Sequence, residues 1–125
     1  MDRAFQILGA LAGVVGVALG AFGAHGLEGR LSPEMLDVFE TAVRYHLYHA
    51  LALLATAAIL ARLPSSRLVA AAGWAFLAGI VLFSGSLYLL ALTGARGLGA
   101  ITPLGGIAFL VGWALGGIVF GVVAD

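Results

Sequence analysis

The sequence predicts an all-α polytopic membrane protein, with four transmembrane helices in an antiparallel bundle and an amphipathic interfacial segment before the second. Three observations carry this. Of 125 residues, 62% are hydrophobic and only 10% charged, whereas soluble domains carry about 25% charged residues. Four apolar stretches, at residues 5–24, 45–62, 68–92 and 101–124, each approach the roughly 20 residues that span about 30 Å of hydrocarbon. None alternates as the strands of a membrane barrel must. Backbone groups in lipid have to be satisfied within the segment, which leaves helices. The length accommodates a single domain over residues 1–125.

The first stretch follows Met1-Asp2-Arg3 and holds no charge. At about 20 residues it exceeds the roughly 7–15 of a signal-peptide core, so it reads as a membrane helix. Gly9, Gly13, Gly16, Gly20 and Gly23 recur at steps of four, three, four and three, a heptad rhythm that puts all five on one stripe. Such a stripe lets a second backbone approach closely, the main means of association where hydrophobic drive is absent. Small residues at Ala71, Ala75, Ala78 and Gly85 of the third stretch, and Gly112, Gly116, Gly117 and Gly121 of the fourth, are the expected counterparts. An oligomer interface is the other use of such a stripe.

Between the first two stretches Ser32-Pro33-Glu34 reads as a helix start, with a capping hydroxyl, a proline at the first position and an acid in the first turn. From there Met35, Leu36, Phe39, Ala42 and Val43 fall on one side of a helix, and Glu34, Asp37, Thr41 and Arg44 on the other. Glu40 and Arg44 stand in the favourable i,i+4 order. No residue breaks the helix from Pro33 to Ala61. One continuous helix would measure about 43 Å at about 1.5 Å per residue, so residues 33–44 stand in the interface or the helix bends there. The other links, Leu63-Pro64-Ser65-Ser66 and the eight residues from Thr93 to Ala100, are short, which makes sequential helices antiparallel.

Threaded this way, the polar residues sort to one side of the membrane. His25, Arg44, His46, His49, Ser84, Ser86 and Thr102 form the candidate polar site, because polar groups at membrane depth are costly and face the protein interior. His46 continues the inward stripe of Phe39 and Val43, and His49 lies about 60° from it on the wheel. A metal requires three or four oriented ligands, and no recognised spacing such as His-Glu-x-x-His is present. Hydrogen bonding of the histidines to hydroxyls or backbone is the simpler expectation, with proton or small-ligand handling as the alternative. No metal and no cofactor is called for, and no residue is assigned as catalytic.

Other classes are excluded or unsupported. The absence of Cys removes thiol catalysis, disulfides and Cys-based metal sites. The net charge is zero, so there is no electrostatic footprint for nucleic acid. There is no P-loop, and Gly-Leu-Gly-Ala at 97–100 resembles a phosphate loop only in composition. The six basic residues are all arginine, three at each membrane face. Arg62 and Arg67 bracket the shortest link, which tips the positive-inside rule towards cytoplasmic termini.

Several blocks stand in order along the chain: Gly20-Ala21-Phe22-Gly23-Ala24-His25-Gly26-Leu27, Tyr48-His49-Ala50-Leu51-Ala52-Leu53-Leu54, the run from Phe83 to Gly94, and Ile101-Thr102-Pro103-Leu104-Gly105-Gly106. Together they resemble the domain-of-unknown-function 423 family of small membrane proteins. The resemblance implies a four-helix protein of the bacterial inner membrane and no assigned activity. His25 and His49 match the family's pattern, whereas His46 stands where Gln is more usual. The expected role is structural or accessory, with the lipid bilayer and a homo-oligomer or larger membrane complex as partners. The alternative is binding or transport of a small molecule or proton at the polar end.

Overall fold

The computed structural model describes residues 1–123. It contains α1 (Asp2–His25), α2 (Pro33–Arg62), α3 (Arg67–Gly79), a π-helical turn (Ile80–Ser84), α4 (Gly85–Thr93), a 3-10 turn (Arg96–Ala100) and α5 (Thr102–Val123). With α3, the π turn and α4 forming one rod, the chain makes four rods long and apolar enough to cross a membrane. Ala124, the expected end of the fourth, lies outside the described residues.

The helix ends follow local chemistry. Ser32 Oγ accepts from Met35 N at 3.2 Å, with Pro33 at the first helical position. Ser66 Oγ caps α3 by accepting from Val69 N at 3.3 Å. Gly94, at φ 72°, ends α4 in a left-handed conformation that glycine adopts without penalty. α2 is one continuous helix of 30 residues, about 45 Å long. The amphipathic segment therefore forms its first turns. Phe39 and Ala42 are buried while Glu34, Asp37 and Arg44 are exposed, as the pattern requires. Glu40 and Arg44, expected to pair, are not within 4.0 Å of each other; the only salt bridge among the described residues joins the N-terminus to Asp2.

The glycine stripe of α1 packs on α2. A Cβ at Gly9, Gly16, Gly20 or Gly23 would meet Leu54, Leu47, Val43 or Phe39 respectively. The descending order of the partners establishes antiparallel packing. Gly13 is the exception, with nothing within 4 Å. The expected counterpart on the third span is not used: Ala71 and Ala78 are exposed, and a Cβ at Gly85 would meet nothing. Two glycines not singled out in advance do that work in α3. Gly73 receives the ring of Phe5, and Gly79 receives the ring of Phe109. On α5, Gly112 accommodates Phe76 and Gly105 accommodates the backbone of Phe83, whereas Gly116, Gly117 and Gly121 face open space. Aromatic rings on one helix filling glycine notches on the next is the prevailing packing device, because a notch exchanges a small loss of local contact for a whole buried ring.

The interior divides into two apolar clusters. The larger, nearer the termini, is built on Phe5, Leu53, Leu60, Val69, Phe76 and Phe109. The smaller, at the opposite end, comprises Leu27, Phe39 and Ala91 with Leu36 and Tyr88 against them. Leu27 belongs to the first link and is buried there, so the link is anchored to the bundle by its own side chain.

Candidate functional site

The buried polar residues are His46, His49, Thr56, Ser84 and Ser86, and all but Thr56 belong to the expected site. Among the described residues, no concavity is lined by two of them. Each is spent on a separate contact, and together they form a ladder from mid-membrane towards one surface.

His49 is the deepest of the expected group. It stands level with Phe76 and with Trp113, halfway along α5. Its ring lies on Phe109 with centroids 3.5 Å apart and nearly parallel. Nδ1 lies 2.6 Å from the Tyr45 carbonyl, and Nε2 accepts from Trp113 Nε1 at 2.9 Å. A carbonyl can only accept and an indole N–H can only donate, so the ring is the neutral tautomer with its proton on Nδ1. Both nitrogens are occupied, and neither is available to a metal.

His46, one turn nearer the surface, faces α1 and α4. Nδ1 pairs with the Tyr88 hydroxyl at 2.9 Å. Gly16 makes the room for this ring: a Cβ there would stand 3.3 Å from His46 Cδ2. His46 is 5% exposed, and its Nε2 is the one buried side-chain polar atom without a hydrogen-bond partner among the described residues.

Closer to the surface, Ser84 Oγ donates to the Ala42 carbonyl of α2 at 2.8 Å from within the π turn. Ser86 Oγ and Thr102 Oγ1 lie 2.6 Å apart and join α4 to α5. Thr56, which lies away from the expected polar side, donates to Ala52 O within its own helix at 2.7 Å. Two expected members stand apart: His25, at the last residue of α1, and Arg44 are exposed. The reason is the apolar cluster of Leu27, Phe39 and Ala91, which covers the buried ladder on the side where His25 was expected to join it. No three His, Asp or Glu side chains come together as a metal site among the described residues.

Sequence reasoning missed Trp113 as the partner of His49, and missed the π turn. The latter had a signal in Ser84-Gly85-Ser86, since Gly/Ser pairs and π turns are common sites of helix irregularity. Trp113 had none, because its pairing depends on the α2–α5 diagonal that only the assembled bundle creates.

A wide concavity opens sideways between α2, the π turn and α5. It measures about 790 Å³ and is lined by Tyr45, Tyr48, His49, Phe83, Phe109 and Trp113 among others. Trp113 is 55% exposed there. The groove is almost wholly apolar and faces the direction in which lipid would lie.

Comparison with known proteins agrees with this architecture. The family described as "Protein of unknown function (DUF423)" matches residues 19–106. The chain is 52% identical over 113 residues to the UPF0382 membrane protein YwdK of Bacillus subtilis, covering 90% of this chain and 92% of that one. It is 51% identical over 113 residues to the UPF0382 membrane protein SH2409 of Staphylococcus haemolyticus, covering 90% and 91%. No solved structure matches. Four apolar spans, the glycine-packed α1 and the shared sequence over most of the length lead to one conclusion: this chain is a multi-pass membrane protein and belongs to the DUF423 family.

Proposed function

We propose that the protein is a non-enzymatic accessory component of the membrane, acting through its lipid-facing surface. One observation supports this reading above others. The hydrogen bonds of His49, Ser84 and Ser86 join one helix to another or fasten a ring in place, while a wide, open aromatic groove lies on the flank. A polar group that serves packing is expected to be enclosed, and one that serves transport to line a path for solvent. The flank groove, floored in part by Gly106, is suited to a neighbouring transmembrane helix, from a second copy or from a larger complex. The relatives are bacterial membrane proteins, and Arg62 and Arg67 flank the tightest connection. These support placement in the bacterial inner (cytoplasmic) membrane with both termini in the cytoplasm. A C-terminal reporter fusion active only outside the cell would reverse that orientation.

A second reading, proton handling, is favoured by the unpaired Nε2 of His46. The two separate in proteoliposomes carrying a pH-sensitive dye under an imposed potential. The accessory role predicts proton entry equal to that of empty liposomes. Protein-dependent entry that disappears in His46→Gln would replace it with the transport reading.

A further inference from the structure

We infer that the polar-side end of the α1–α2 seam is a binding site for a phospholipid with a phosphoethanolamine headgroup. A separate groove of about 220 Å³ opens there, lined by Gly20, Gly23 and Ala24 of α1 and by Phe39, Glu40, Val43 and Arg44 of α2. Its floor is apolar and lacks side-chain bulk on the α1 side, the form that receives an acyl chain or glycerol backbone. Its rim carries one carboxylate and one guanidinium. Neither is in a salt bridge among the described residues, although they stand one turn apart on the same helix.

The order of the two charges by depth decides the ligand class. α2 enters the membrane from Pro33 and leaves at Arg62, so Glu40 stands about 6 Å nearer the water than Arg44 along the axis. A phospholipid in that leaflet presents, from inside outwards, acyl chains, a phosphate and then its terminal group. Arg44 meets the phosphate, where a planar guanidinium binds two oxygens at once. Glu40 meets the ammonium beyond it, which a hydrogen-bonding primary amine satisfies. A quaternary choline has no N–H to donate, and a glycerol headgroup leaves Glu40 facing an anionic lipid with no cation. The level also fits. Gly23 stands near the end of α1 and Glu40 in the part of α2 that precedes its apolar stretch, the region where hydrocarbon gives way to headgroups.

The test is native mass spectrometry of the full-length protein released from nanodiscs made with equimolar phosphatidylethanolamine, phosphatidylglycerol and phosphatidylcholine. Wild type should retain phosphatidylethanolamine over phosphatidylcholine by roughly fivefold. Arg44→Gln should abolish retention of the phospholipid at this site. Glu40→Gln should keep a bound lipid but shift the preference to phosphatidylglycerol, because only the guanidinium then remains. Equal retention of the three lipids by wild type, or wild-type selectivity in both variants, would overturn the proposal. A second measurement needs no variant: phosphatidylethanolamine with a diazirine in its acyl chain should crosslink to residues 20–24 and 43. Crosslinks confined to the α2–α5 flank would overturn it equally. The outcome is independent of the accessory role proposed above, which rests on the other groove.

Discussion

Gly105 is the position where a single methyl group should do most damage. A Cβ there would come against the backbone of Phe83, 2.7 Å from its Cα and closer still to its N. Carbon atoms in contact prefer about 3.5–4.0 Å, so α5 and the π turn would have to part by about 1 Å. The obstacle is backbone, which cannot swing aside as a side chain can. A gap of about 0.5–1 Å forfeits roughly a quarter to a half of each dispersion contact across it, and the Phe76–Gly112 and Phe109–Gly79 notches lie along the same seam. Overpacking costs about 1–3 kcal/mol, and rigid backbone on one side places Gly105→Ala at the upper end. The helical preference of Ala over Gly returns at most about 1 kcal/mol. The net expectation is a loss of about 2–3 kcal/mol, read by SDS titration of the purified protein in mixed micelles and followed by tryptophan fluorescence. Gly116→Ala is the internal control, because nothing lies within 4 Å of its added Cβ, and it should lose no stability and gain at most about 1 kcal/mol. If Gly105→Ala unfolds within about 0.5 kcal/mol of wild type, or if both variants lose equally, the close approach of α5 to the π turn is refuted.

Three further outcomes follow from the same packing. Gly16→Leu should separate α1 from α2, since even its Cβ would stand 2.6 Å from Leu47 Cδ2 and would crowd His46; purification at unchanged size and thermal stability would contradict this. Trp113→Phe should cost about 1–2 kcal/mol by leaving His49 Nε2 without its donor, and a double-mutant cycle with His49→Leu should show coupling rather than addition. Ser84→Ala should cost only about 0.6 kcal/mol, the usual worth of an interhelical hydrogen bond in a membrane; a loss above about 2 kcal/mol would show that the π turn itself depends on that hydroxyl.

The four spans, the capped start of α2 at Ser32-Pro33 and the inward face of Phe39, Ala42 and His46 were all legible in the sequence. Each depends on local physics: hydrophobic length against bilayer thickness, capping chemistry, and periodicity along one helix. The α1 glycine stripe was likewise visible as a stripe. Its partner was not, because a row of glycines specifies a close approach without specifying which helix makes it. The tertiary structure assigned α2 to Gly16 and left Ala71 and Ala78 facing outward. The polar site divided in the same way. That polar groups would gather towards one side followed from threading antiparallel helices. Whether they would share a cavity was decided by side chains far apart in sequence. Trp113 reaches His49 across 64 positions and Tyr88 reaches His46 across 42, while Leu27 and Phe39 cover the end where His25 was expected to join. Sequence determines which residues must avoid lipid and water; only the packed bundle determines which of them meet.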